Sequence, residues 1–218
     1  RFGDTRSLAL QRSRGLRQPV SSRLPEVRGE AVSDRERRGC VVKKHYVLAT
    51  QQPWGVKAFD IVKSRGGEWW LTRTVTRMRA SINPNVRYVF CVNLSSYVPA
   101  DVLARAEVIN FHAFGPGPIW HRGGGPLENL LLRGYTETMI GAHSMTSELD
   151  AGPIYGTRGP VSLTGTKAQI LDRFIEPCVD LIRWIVETEP EPYPQAGEVV
   201  TFKRLPKAAY EAFWRARA

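Results

Sequence analysis

Short apolar runs alternate with segments of helical spacing through most of the chain from residue 41 onward. Residues 46–50 and 88–92 are short runs rich in β-branched and aromatic side chains, which predicts buried strands. Between them, residues 54–63 place apolar side chains at three-residue steps, as an amphipathic helix does. This alternation indicates βαβ units. It predicts a Rossmann-like α/β fold, with a mostly parallel sheet and helices on both faces, in a single domain.

The same pattern predicts the later elements of the chain. Further strands are predicted at residues 69–72, 107–111 and 138–145, and further helices at residues 102–106 and 126–133. A long amphipathic helix is predicted over residues 170–185, and Pro177 should kink it or mark the start of a second helix. Residues 189–195 contain three prolines and should be extended, while residues 199–202 suit an edge strand.

The first 40 residues differ in composition from the rest. They hold ten Arg, no Lys and five acidic residues, and they show no sustained apolar period. Such a segment is typical of a disordered extension. We therefore divide the chain into a disordered Arg-rich extension at 1–40, a folded domain at 41–206 and a C-terminal tail at 207–218.

Charge and cysteine content narrow the functional classes. Half of the formal net charge of +10 lies in the extension, so a nonspecific nucleic-acid-binding tail is an alternative, although a solvated extension is favoured. No apolar run is long enough to span a membrane. Three cysteines without CxxC spacing indicate a reduced compartment, the cytoplasm, and give no sign of a zinc site.

Three separated residues form the candidate chemistry. Asn110 and His112 lie at the end of a predicted strand, and Asp150 lies in a turn after the next strand. Because ligands bind at the carboxyl ends of parallel strands, we expect the three side chains to converge. Each alone would usually be a turn or packing residue. Together they suit acyl transfer without a nucleophilic side chain, since an amide can stabilise an oxyanion while an imidazole and a carboxylate manage protons.

The order of these motifs resembles the formyltransferase family, which transfers a formyl group from 10-formyltetrahydrofolate to an amine. The resemblance covers about residues 42–206. It is carried by Asn110-x-His112, by the RGGGPL run at 122–127 and by the LDAG turn at 149–152. It implies that Asn110 donates to the oxyanion and that His112 donates to the same oxygen or protonates the leaving nitrogen. It also implies that Asp150 orients the imidazole and raises its pKa.

The resemblance also implies where the folate lies. Two loops are expected to hold it, one after residue 92 and one before Asp150. The cofactor-binding residues expected there are Leu94, Ser95, Ser96 and Tyr97 in the first loop and Ser147, Glu148 and Leu149 in the second.

Within the family, the chain resembles the small single-domain branch, on the basis of the PQAGE run at 194–198 and the FKR run at 202–204. We expect no C-terminal β-barrel domain after it and no N-terminal regulatory domain before it. The expected acceptor is therefore a small amine, first a nucleotide-linked amino sugar and then an amino acid or another biosynthetic amine. A formyltetrahydrofolate hydrolase and a non-enzymatic nucleic-acid-binding protein are the alternatives. The run at 113–118 departs from the Ser-Leu-Leu-Pro often found in the family.

Other polar residues have weaker patterns. His45, His121 and His143 lack metal-ligand spacing, so we expect packing roles and no bound metal. Arg122 suits either an acceptor phosphate or a surface role. We expect no membrane partner, and a homodimer is one alternative for the assembly.

Overall fold

A computed structural model describes residues 44–115 and 119–217 of the protein. The extension predicted at residues 1–40 lies outside the described residues. The residues from Val42 onward constitute one compact unit. Among the helices of the described ranges, none combines the length and the apolar character needed to cross a membrane.

Within residues 44–115 and 119–217, eight strands form two sheets. The central sheet contains β1 (His45–Ala49), β2 (Glu68–Thr72), β3 (Val86–Cys91), β4 (Glu107–Phe114), β6 (Glu137–Ser144) and β7 (Ile154–Ser162). The order of its strands is β2-β1-β3-β4-β6-β7. The second sheet pairs β5 (Trp120–Gly123) with β8 (Val199–Phe202). In the central sheet, β1, β2, β3 and β4 are parallel, and β6 is antiparallel to both β4 and β7. Five of the six strands therefore run in one direction, and the predicted Rossmann-like, mostly parallel sheet is confirmed.

Helices cover both faces of this sheet. They are α1 (Pro53–Lys63), α2 (Val75–Ser81), α3 (Ala100–Leu103), α4 (Pro126–Leu132), α5 (Lys167–Arg173), α6 (Ile175–Thr188) and α7 (Lys207–Arg215). Successive side chains of a strand face opposite sides of its sheet. In β1, Tyr46 and Leu48 join the core under α1 and α6, whereas Val47 and Ala49 join a second core under α2 and α3.

Strand β4 is longer than the sequence pattern predicted. It continues to Phe114, so Asn110 and His112 lie inside the strand and not at its end. The parallel pairing with β3 nevertheless stops at Asn110, which pairs with Cys91, and beyond it β4 pairs only with β6. Asn110 is thus the last residue of β4 that pairs with β3. It lies beside the carboxyl end of β3, but it does not lie at the carboxyl end of β4, where it was expected.

The helix predicted over residues 170–185 is two helices. The chain breaks at Phe174, between α5 and α6, and Pro177 lies in the first turn of α6. Proline is tolerated in that turn because its missing N–H would have no partner inside the helix. Of the two outcomes predicted for Pro177, the second helix start is the one observed.

The C-terminal part of the chain adds two elements to the domain. Strand β8 pairs with β5, a strand that the sequence pattern did not predict. Residues 207–215, assigned above to a tail, form α7, and the Trp214 indole donates a hydrogen bond of 2.8 Å to Glu128 of α4. Glu128 is buried, so this bond satisfies a carboxylate that would otherwise be costly to exclude from water.

Candidate active site

One strand and one turn bring the predicted trio together. Asn110 and His112 are two residues apart on β4 and therefore project from the same face of the sheet. Asp150 lies in the turn between β6 and β7, and its carboxylate reaches both. The Asn110 Nδ2 donates to Asp150 Oδ1 at 3.2 Å, and His112 Nδ1 lies 3.7 Å from Asp150 Oδ2. An amide, an imidazole and a carboxylate thus meet at one point.

The Asp150 carboxylate is held from the main chain as well as from side chains. The backbone of Asp150 is in the left-handed region, with φ near 50°, which is uncommon for a residue other than glycine. The backbone N–H of Gly123, in β5, donates to Oδ2 at 2.9 Å. A Cβ on Gly123 would overlap the carbonyl of Phe202, and its φ of 99° also favours glycine. The glycine therefore lets β5 lie close to β8 while its N–H donates to the carboxylate.

A second imidazole, His143, belongs to the same cluster, although the sequence analysis assigned it a packing role. It faces Asn110 across the β4–β6 ladder, and its Nε2 lies 3.2 Å from Asn110 Nδ2 and 3.5 Å from Asp150 Oδ1. Its Nδ1 lies 2.9 Å from the carbonyl oxygen of Ser144, which can only accept, so Nδ1 carries a hydrogen. In the neutral ring Nε2 is then an acceptor for the Asn110 amide.

Both hydrogens of the Asn110 amide are therefore engaged, one by Asp150 and one by His143. The two distances of 3.2 Å are long for hydrogen bonds of this kind. Catalytic hydrogen bonds are often long in a free site and tighten only when substrate is bound. A substrate oxygen can replace one of these weak partners at little cost.

The pKa values of the trio differ from the sequence-based expectation. Burial is the largest influence on His112 and lowers its pKa to about 4, against the raising effect of the Asp150 charge. Asp150 raises the pKa of His112, as predicted, but the pKa still lies below its usual value because desolvation outweighs the carboxylate. Burial alone would raise the pKa of Asp150, but His143, His112 and the Gly123 N–H together lower it to about 2. The ground state is a neutral imidazole beside a carboxylate.

His112 also has an unused polar atom. Its Nε2 is buried and makes no hydrogen bond to any described group. The residue lines a small cavity together with Phe114, Trp120, His121 and Ile154. A buried ring nitrogen without a partner is destabilising unless something else satisfies it. The site is therefore built to receive a polar group of a ligand.

The two loops expected to hold the folate both begin beside the middle of β4, because Cys91 pairs with Asn110 and Ser144 pairs with Ile109. Leu94 and Met145, which precedes the second loop, pack on the same buried cluster. In the first loop, Ser95 and Ser96 are bound by the Gln51 side chain, while Tyr97 is 74% exposed. In the second loop Ser147 and Glu148 are exposed and Leu149 is 66% exposed. Exposed aromatic and aliphatic side chains beside polar backbone suit a flat ligand, and the expected contacts stay a prediction.

The Arg122 side chain is already hydrogen-bonded to two groups of the protein. Its guanidinium donates to Gln195 at 3.0 Å and to Glu148 at 3.1 Å, and only 19% of its side chain is exposed. An acceptor phosphate would have to compete with both partners. Over residues 44–115 and 119–217, no group of three or more His, Cys, Asp or Glu residues is arranged to hold a metal ion.

Comparison with known proteins places this site in a family. The sequence is 30% identical over 161 residues to a methionyl-tRNA formyltransferase from Cutibacterium acnes (strain DSM 16379 / KPA171202), a match that spans 71% of the chain and 48% of that relative. The structure superposes on methionyl-tRNA formyltransferase from Clostridium thermocellum with a TM-score of 0.68 and 24% identity, over 76% of this chain and 74% of that one. The chain belongs to the formyltransferase family.

Other members share the formyltransferase fold at lower identity. The formyltransferase PseJ from Anoxybacillus kamchatkensis, solved with UDP-4,6-dideoxy-4-formamido-L-AltNAc and tetrahydrofolate, superposes with a TM-score of 0.57 and 19% identity, over 77% of this chain and 90% of PseJ. No family model matches the sequence. The chain spans about half the length of the curated relative from Cutibacterium acnes.

Gly152, in the family's LDAG turn, provides a test of how tightly this turn is packed. A Cβ at this position would fall on the carbonyl oxygen of Ser144. We expect Gly152→Ala to destabilise the protein by about 1–3 kcal/mol, because backbone must move to make room. Thermal denaturation measures the loss. An unchanged melting temperature would contradict the packing, and Gly134→Ala, where a Cβ meets nothing but φ is 80°, separates steric overlap from backbone strain.

The lowered pKa of His112 gives a pH prediction. Because its pKa is about 4, the imidazole stays neutral as pH falls through 6.5, the usual value, and Asp150 stays charged. We expect kcat to be level from about pH 8 to about pH 6 and to fall only as the solution nears pH 4. A pH–rate profile of formyl transfer measures this. An acid limb centred near 6.5 would show that His112 titrates as an exposed imidazole does.

Proposed function

We propose that the protein transfers a formyl group from 10-formyltetrahydrofolate to the primary amine of a small acceptor. The observation that carries this proposal is the meeting of Asn110, His112 and Asp150 beside a cavity, with the buried Nε2 of His112 left without a partner. Amide, neutral base and carboxylate are the groups that acyl transfer to an amine requires.

The charge states of the site suggest the role of each residue. Asn110 donates its amide hydrogen to the formyl oxygen as negative charge develops there. The neutral Nε2 of His112 takes the proton that the amine loses on attack, and returns it to the leaving nitrogen as the carbon–nitrogen bond breaks. Asp150 stabilises the imidazolium in between, and the Gly123 N–H helps to hold the carboxylate in place. The proton ends on the leaving nitrogen of tetrahydrofolate, and the protein undergoes no net change.

A folate donor fits the two loops that begin beside the middle of β4. Exposed Tyr97 and Leu149 offer apolar contacts, and the backbone between Leu94 and Tyr97 offers hydrogen-bonding groups. The PseJ structure was solved with tetrahydrofolate, and so was HypX from Aquifex aeolicus, which shares the fold at 16% identity with a TM-score of 0.60. These structures support a folate donor for this chain.

For the acceptor we favour a nucleotide-linked amino sugar. PseJ was solved with a formylated sugar nucleotide, and most of its length aligns with this domain. The second candidate is methionyl-tRNA, because the curated relative from Cutibacterium acnes carries that activity in its name. We place the activity in the cytoplasm, and the free, buried thiols of Cys91 and Cys178 are compatible with that compartment.

One assay distinguishes these alternatives. The protein is incubated with 10-formyltetrahydrofolate and either a UDP-linked 4-amino sugar, methionyl-tRNA or no amine, and products are measured by mass spectrometry. We expect an N-formyl sugar nucleotide, and none with Asp150→Asn. Formyl-methionyl-tRNA would support the second candidate, and formate released without any amine would support hydrolysis. No product under any condition would overturn the proposed function.

A further inference from the structure

The side chain of Gln195 ties together three parts of the candidate site. Its amide nitrogen donates to the carbonyl oxygens of Asp150 and Gly152, both at 2.8 Å, and its oxygen accepts from Arg122 Nε at 3.0 Å. Two of these partners are the backbone of the turn that presents the Asp150 carboxylate. The third lies on β5, the strand whose Gly123 N–H donates to that carboxylate.

The turn needs such support. Asp150 is held in the left-handed region, which a residue with a Cβ seldom adopts without help from its surroundings. Gly152 packs so closely on Ser144 that the turn has no space to relax on that side. The two hydrogen bonds from Gln195 satisfy the carbonyls that flank the turn and fix the direction in which the carboxylate leaves the backbone.

The segment that carries Gln195 is anchored independently of its side chain. The backbone of Tyr193 exchanges two hydrogen bonds with Ile154, at 2.7 and 2.9 Å. On the other side, Trp120 donates from its backbone to Glu198 at 2.8 Å and from its indole to Ala196 at 2.9 Å. Removing the Gln195 amide should therefore leave the segment in place and affect only its three partners, the turn carbonyls of Asp150 and Gly152 and the Arg122 side chain.

We infer that Gln195 is a positioning residue for formyl transfer, which orients the Asp150 carboxylate toward Asn110 and His112 through the backbone of the turn. This inference rests on the proposed function. Gln195 lines the cavity beside His112 but hydrogen-bonds to neither Asn110 nor His112, so we expect its effect on the chemical step and not on binding of the donor. The consequence is a loss of kcat at nearly constant KM.

Gln195→Met tests this inference because methionine keeps the length of the side chain and removes all three hydrogen bonds. We expect kcat to fall about 10- to 100-fold, since a small misplacement of a catalytic group has effects of that size. KM for the folate donor should stay within about twofold, because ground-state binding is unchanged. The matched control is Gln169→Met, which removes the capping box of α5 and should lower the melting temperature without changing kcat.

A second variant adds a pH-dependent readout. In Gln195→Glu, the ionised carboxyl group would keep its contact with the Arg122 guanidinium but would be repelled by both turn carbonyls and by Asp150. The protonated form can donate to one carbonyl and still accept from Arg122. The loss of kcat should therefore shrink as pH falls, whereas the loss in Gln195→Met should not depend on pH. An unchanged kcat in Gln195→Met, or equal losses of the two variants at every pH, would overturn the inference.

A carbon-13 NMR titration of the Asp150 carboxyl group reads the same property without any turnover. Its pKa of about 2 should rise toward 3.8 in Gln195→Met, because the carboxylate leaves His143 and Gly123. An unshifted titration would overturn the positioning role. If the wild-type protein transfers no formyl group while this titration shifts, the proposed function fails and the positioning of Asp150 by Gln195 stands.

Discussion

Asp150→Asn is expected to lower kcat by about 10³- to 10⁴-fold while the protein stays folded, a loss of the size seen when a carboxylate that orients a catalytic histidine becomes an amide. The amide oxygen can still accept from Gly123, so the turn should persist. The negative charge that favours proton uptake by His112 is lost, however. Steady-state kinetics with circular dichroism measures both effects.

The matched control for this variant is Asp172→Asn. Asp172 is exposed and pairs with Lys57 at 2.7 Å on the surface, so its replacement should change neither kcat nor the melting temperature appreciably. Turnover of Asp150→Asn within about tenfold of the wild type would contradict the assignment of Asp150 to the proton-transfer pathway.

Asn110→Leu is expected to reduce kcat by about 10²- to 10³-fold, the loss associated with removing one donor to an oxyanion. Leucine is close to asparagine in shape, so the fold should tolerate it, although Nε2 of His143 loses its hydrogen-bond partner. The KM for the donor should change little, because the amide acts on charge that develops during the reaction. Single-turnover kinetics isolates this step.

The control for Asn110→Leu is Asn83→Ala, in an exposed turn between α2 and β3, where the side chain accepts only from Asn85. It should leave kcat unchanged and affect stability slightly. If Asn110→Leu retained normal kcat, the oxyanion would have to be stabilised by another donor, and the role proposed for the amide would be refuted.

Much of the architecture was accessible from the sequence because its strands are short, apolar and separated by clear turns. The trio could be found from the spacing of Asn110 and His112 and from the turn around Asp150. His143 could not, because its place beside Asn110 depends on the register between β4 and β6, and strand register is not a local property of the sequence. The same holds for Gln195, whose partners lie 43 to 73 residues away along the chain.

The direction in which the pKa of His112 changes could not be predicted from the sequence either. Sequence analysis considers the neighbouring charge, which raises the pKa, and has no measure of burial, which here lowers it further than Asp150 can compensate. The extension of β4 to Phe114 was missed for a related reason, since residues 112–114 are paired by β6 alone and the preceding parallel strand gives no hint of it.

The pairing of β5 with β8 has a practical consequence for anyone preparing fragments of this domain. A polypeptide stopped after α6 would retain every member of the trio yet lack the strand that lies beside Gly123, together with Gln195. Its β5 would be left with an open edge, ready to associate with other chains. Expression boundaries should therefore be set beyond Phe202, and preferably beyond α7.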